Sequence, residues 1–104
     1  MKDKYFKKLL KVGTYSLAVA IPSPYCKYLG FNNATPLISE ITNDSLVIKK
    51  ADKITNTSKQ PFTTGKFTLA YTVTQDFHTV LGWNSNTMVE ITMCENAIIV
   101  RKAV

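Results

Sequence analysis

Sliding this sequence along itself by 52 residues brings Leu29-Gly30-Phe31-Asn32 onto Leu81-Gly82-Trp83-Asn84, and no other feature restricts the fold as strongly. The match runs without a gap from residues 11–51 onto 63–103. Nine positions are identical: Gly13/Gly65, Leu17/Leu69, Ala18/Ala70, Leu29/Leu81, Gly30/Gly82, Asn32/Asn84, Thr35/Thr87, Lys50/Lys102 and Ala51/Ala103. Elsewhere like replaces like, as Tyr15 by Phe67, Tyr25 by Phe77, Leu37 by Val89, and Leu46-Val47-Ile48 by Ile98-Ile99-Val100. A unit of about forty residues buries too little surface to be stable alone. At 104 residues the chain is close to the size of one domain, so the copies are expected to interlock around one core. The organisation read from this is a single domain, 1–104, with repeat one at 5–51, a linker at 52–62 and repeat two at 63–104. The linker is polar, rich in Thr, Ser and Lys, and carries Pro61, so it is expected to loop over the surface.

Each copy reads as β-β-α-β-β. Leu17, Val19 and Ile21 alternate with Ala18 and Ala20, and Leu69, Tyr71 and Val73 alternate with Ala70 and Thr72, which is the period of a half-buried strand. The period then changes: Tyr25, Tyr28 and Leu29, like Phe77, Val80 and Leu81, fall at i, i+3 and i+4 on one helical face. Pro24 and Asp76 suit first turns, and Gly30 and Gly82 stand where a left-handed cap is wanted. Hairpins follow, Leu37 to Thr42 turning through Asn43-Asp44 into Ser45 to Lys50, and Met88 to Cys94 turning through Glu95-Asn96 into Ala97 to Lys102. Tyr5 to Val12 reads as one further strand joined at Gly13, with Phe62 to Gly65 as its weaker counterpart. Phe31 and Trp83, each just after the capping glycine, are expected to pack in the core.

Thirteen basic against seven acidic side chains give a net charge of +6, which favours a polyanionic partner. The excess is local: residues 1–51 carry +5, residues 52–62 carry +1, and residues 63–104 are neutral. Lys2, Lys4, Lys7, Lys8 and Lys11 crowd the first eleven residues, a run that also suits a plain solvated arm. Pro22 cuts the apolar stretch after them too short for a signal peptide, and no apolar run reaches the ~18 residues of a membrane span. A cytoplasmic protein is the expectation. Cys26 and Cys94 stand alone and read as buried free thiols. His78, the one histidine, reads as a surface or capping residue, and no metal-ligand set, nucleophile elbow or phosphate loop is present. Neither catalysis nor a cofactor is expected.

The run Gly13-Thr14-Tyr15-Ser16-Leu17-Ala18-Val19-Ala20-Ile21-Pro22, followed by a helix ending in Tyr28-Leu29-Gly30 and a hairpin closing on Leu46-Val47-Ile48, resembles the AbrB, SpoVT and MazE swapped-hairpin family. The resemblance covers most of copy one, copy two more weakly, and nearly the whole chain apart from the linker. It implies a mostly β fold with two short helices, a swapped-hairpin β-barrel in which two internal repeats form a pseudo-dimer within one chain. It also implies a double-stranded DNA-binding transcriptional regulator, nucleoid-associated, that grips phosphates through the basic first strand and reads bases from the loop after it. The residues so assigned are Lys4, Lys7, Lys8, Lys11, Thr14, Tyr15 and Ser16 in copy one and Lys66 in copy two. Two chains pairing into a homodimer would restore a two-fold reader.

The chain departs from the family in ways that bear on this reading. Where the family commonly places Arg before Ile-Pro, Ala20 and Thr72 stand, and both copies carry one extra residue between the glycine and that pair. The usual Pro-Gly-Asp run after the helix is replaced around Ala34-Thr35 and Asn86-Thr87. Weak discrimination between sequences follows from the missing arginine. The alternative reading is a protein-binding module, antitoxin-like or partner-binding, that has kept the barrel and lost the DNA function.

Overall fold

The change of period from two to about 3.6 and back is written directly into the backbone of the computed structural model, which describes residues 4–14, 16–52, 58–64 and 68–103. Copy one forms β1 (Lys4–Lys8), β2 (Leu10–Val12), β3 (Ser16–Ile21), α1 (Ser23–Leu29), β4 (Leu37–Thr42) and β5 (Ser45–Lys50). Copy two forms β6 (Phe62–Thr64), β7 (Thr68–Val73), α2 (Gln75–Leu81), β8 (Met88–Met93) and β9 (Ala97–Lys102). About half of the described residues are in strands, and the sheet curls into a half-barrel. None of the described helices is long and apolar enough to cross a membrane.

The strands lie in two sheets, one ordered β1-β8-β9-β5-β4 and the other β2-β3-β7-β6. At the centre of each, a strand pairs antiparallel with its own counterpart. Val19 faces Tyr71 between β3 and β7, and Val47 faces Ile99 between β5 and β9, each pair being 52 residues apart. Leu17 then meets Val73 while Ile21 meets Leu69, and Leu46 meets Val100 while Ile48 meets Ile98. The copies are also interleaved: β1 of copy one pairs along its whole length with β8 of copy two.

Strand alternation sends Leu17, Val19, Ile21, Tyr71 and Val73 from one sheet and Leu46, Ile48, Ile91, Ile98 and Val100 from the other into a single buried cluster. Each such side chain, fully removed from water, stabilises the fold by about 1.5 to 3 kcal/mol. Tyr25 of α1 closes one end, its hydroxyl donating to the Ile91 carbonyl oxygen at 3.4 Å. Phe31 and Trp83 are buried at equivalent places after the helices, as expected.

The identical residues of the repeat have identical local work. Gly30 and Gly82 end the helices at φ +74° and +73°, a left-handed conformation in which a Cβ is strained. In the next turn the Asn32 amide donates to Thr35 Oγ1 at 2.9 Å, and Asn84 donates to Thr87 Oγ1 at 2.8 Å. The side-chain oxygens of the same asparagines accept the amides of Ala34 and Asn86. Each is an Asx turn built on the asparagine that follows the buried aromatic residue.

Three expectations need correction. Tyr5 to Val12 is not one strand: Leu9 is buried, its amide donates to the Thr87 carbonyl at 3.1 Å, and the chain passes there from one sheet to the other. The segment 52–62 is only partly a surface loop. Residues 53–57 lie outside the described residues, but Lys59 exchanges two backbone bonds with Leu37 at 2.7 and 2.8 Å, Pro61 is buried and Phe62 opens β6. Lys59 is the repeat equivalent of Lys7, so copy two keeps a trace of β1. Nor are the cysteines buried thiols; Cys26 is half-buried and Cys94 exposed.

Candidate nucleic-acid interface

Because β1 and β2 are consecutive and each is an edge strand, the basic start of the chain runs along one edge of both sheets. Lys8 and Lys11 are exposed there and Lys7 is half-buried. Among the described residues none of these three has an ion-pair partner. Lys4 differs. Its ammonium lies 3.3 Å from Glu90 on the neighbouring strand, and Arg101 Nε donates to the same carboxylate at 2.7 Å. Lys4 is therefore already neutralised in part, which leaves Lys7, Lys8 and Lys11 as the available cations.

The Arg101 hydrogen bond, with Lys4 beside it, holds the Glu90 carboxyl below its usual pKa. A depressed acid stabilises the folded state above its unfolded value, about 4.3 for glutamate, and loses that contribution as the pH falls through the lower folded value. Glu90→Gln is expected to melt lower than the native chain at pH 7 and to converge with it in strong acid. Thermal melts at pH 7 and pH 3 check this; an equal gap at both would contradict it.

The loop between β2 and β3 sits against copy two, because β3 pairs with β7 and so brings α2 alongside. Lys11, Thr14 and Ser16 line a shallow cleft of about 230 Å3 together with Gln75, His78 and Asn84. Of the residues assigned from the sequence, the structure thus gathers three into one place and sets Lys7 and Lys8 on the adjoining edge; Tyr15 and Lys66 lie outside the described residues. Gln75, His78 and Asn84 were not anticipated. Only the pairing of β3 with β7 places them, and that pairing follows from the repeat if each strand is set against its own counterpart. The equivalent cleft on the other side holds Ser23, Cys26, Lys27 and Asn32, so the two are chemically unequal.

Ala20 and Thr72 lie on the face of the four-stranded sheet opposite the core residues, where Ala20 meets Ala70 and Ala18 meets Thr72. Ala18, Ala20 and Ala70 are buried there, and the Lys59 ammonium donates to the Thr72 carbonyl oxygen at 2.9 Å. Among the described residues no group of three or more His, Cys, Asp or Glu side chains is placed to hold a metal ion. No protein-family model, curated protein or solved structure matches the chain. What the fold defines is a mostly β half-barrel with two short helices.

Proposed function

We propose that this chain is a fused pseudo-dimer of the swapped-hairpin type and that it binds double-stranded DNA through the β1–β2 edge. The observation that carries this reading is the placement of Lys7, Lys8 and Lys11, unpaired among the described residues, along one edge that leads into a polar cleft built by both copies. Phosphates take the lysines, which supplies affinity without sequence information. Thr14 and Ser16, with Gln75 and Asn84 across the cleft, offer hydroxyls and amides to the groove edge, and these supply modest selectivity. The registers of β3 with β7 and β5 with β9 are those of two subunits related by a two-fold axis, which supports the fused-dimer reading. Neutral Ala20 and Thr72 make the protein a weak discriminator whose affinity is mostly electrostatic.

Backbone amide shifts on adding a short mixed-sequence duplex test the assignment. They are expected to cluster at residues 7–16 and 75–85. Shifts spread evenly over the surface, or confined to the far edge at β4, would sink it.

A further inference from the structure

Strand alternation turns Tyr5 of β1 inward, where it packs against the core cluster, and turns Lys4, Phe6 and Lys8 to the outer face of the five-stranded sheet. There the Phe6 ring is 58% exposed. Phe6 pairs with Glu90 and Lys8 with Met88, so Met88, itself 45% exposed, stands diagonally across from the ring and within reach of it. The repeat does not call for a ring at this place, since the residue 52 positions on is Ser58.

The charge around the ring is positive. Lys4 and Lys8 stand on the same face to either side of Phe6, each roughly 7 Å away along the strand. Arg101 lies one strand further across, opposite Glu90. The two carboxylates that the strands direct to this face are already engaged, Glu90 by Lys4 at 3.3 Å and by Arg101 at 2.7 Å, and Glu40 by Lys49 at 3.6 Å. Lys8 has no ion-pair partner among the described residues. A ring open to water between cations suits a polyanion that offers flat, poorly hydrated faces between its charges. A duplex hides those faces in its own stack, whereas a single strand presents them. We propose that the outer face of β1 and β8 binds single-stranded nucleic acid, with an unpaired base stacked on Phe6 beside Met88 and the phosphates on either side held by Lys8 and by the Lys4–Arg101 pair. The site shares only Lys8 with the duplex contact proposed above and does not rest on it.

The probe is a labelled oligothymidylate of roughly ten nucleotides, titrated with the full chain at about 50 mM salt and followed by anisotropy, beside an abasic strand of the same length and charge. The thymidine strand is expected to bind more tightly and to move the Phe6 ring protons upfield. Phe6→Ala is expected to weaken its binding about five- to a hundredfold, the worth of one stacked base. Phe6→Leu, which keeps apolar bulk and loses the flat ring, is expected to lose nearly as much, and Phe6→Trp to retain binding. The position is exposed, so all three variants are expected to fold. A duplex of the same length is expected to bind the native chain and Phe6→Ala alike, so failure of the duplex reading and failure of this one appear in different titrations. Equal affinity for the thymidine and abasic strands overturns the proposal. So does native affinity in Phe6→Leu, an equal loss for duplex and single strand in Phe6→Ala, or no binding of the thymidine strand.

Discussion

Changing Tyr71 to alanine is expected to remove about 3 to 5 kcal/mol of stability, as large aromatic truncations in packed cores do. That is a large share of the roughly 5 to 15 kcal/mol that holds a domain of this size together. The reason lies in its position. Tyr71 is fully buried and faces Val19 at the centre of the β3–β7 pair, so its ring fills the interior where the two copies meet. Its hydroxyl donates to Ser39 Oγ at 3.0 Å, and the Lys59 ammonium lies 5.3 Å from the ring centroid while donating to the Thr72 carbonyl at 2.9 Å. The ring therefore ties together the four-stranded sheet, β4 and the segment entering copy two. Urea denaturation of Tyr71→Ala and Tyr71→Phe separates the contributions. The phenylalanine variant, which keeps the ring and loses one hydrogen bond, is expected to cost only about 0.5 to 1.5 kcal/mol. A similar small loss for both would mean that the ring does not sit in a closed core.

A fragment of residues 1–52 is expected to have no stable monomeric fold. In the intact chain β3 and β5 are central strands, each with a copy-two partner, β7 or β9, while β1 pairs only with β8. Cutting the chain removes all three pairings and opens the apolar faces of Leu17, Val19, Ile21, Leu46 and Ile48 to water. About forty ordered residues cannot offset their conformational entropy with what burial remains. Folding of the fragment is expected to depend on concentration, through self-pairing that sets Val19 against Val19 and Val47 against Val47 of a second molecule. Circular dichroism with sedimentation across a hundredfold concentration range checks this, and a folded monomer at high dilution would contradict it.

The repeat, the helix caps and both hairpins were legible because each rests on local chemistry. Gly30 and Gly82 answer to a dihedral angle, and Asn43, at φ +57°, to a turn. What local pattern does not carry is the switch of partner. Leu9 looks like one more apolar residue in a continuous strand, yet it is where the chain leaves one sheet for the other, since its amide finds Thr87 in copy two. Lys59 lies in a stretch whose composition reads as linker, and only its bonds to Leu37 and Thr72 reveal it as the counterpart of Lys7. The residues of the candidate interface divide in the same way. The lysine run was visible as charge, whereas the engagement of Lys4 by Glu90 and the approach of Gln75, His78 and Asn84 depend on pairings between residues far apart in the chain.

The central claim is that duplex DNA is held by phosphate contacts along the β1–β2 edge. Its most direct test is fluorescence anisotropy of a labelled duplex titrated with the protein between 50 and 200 mM salt, alongside the triple variant of Lys7, Lys8 and Lys11 to alanine. Roughly three to five phosphate contacts give a log-log salt slope of about −3 to −5 for the native chain, and the loss of three lysines makes it shallower by about 2.7. Absence of binding at 50 mM salt, or an unchanged slope in the variant, would contradict the account.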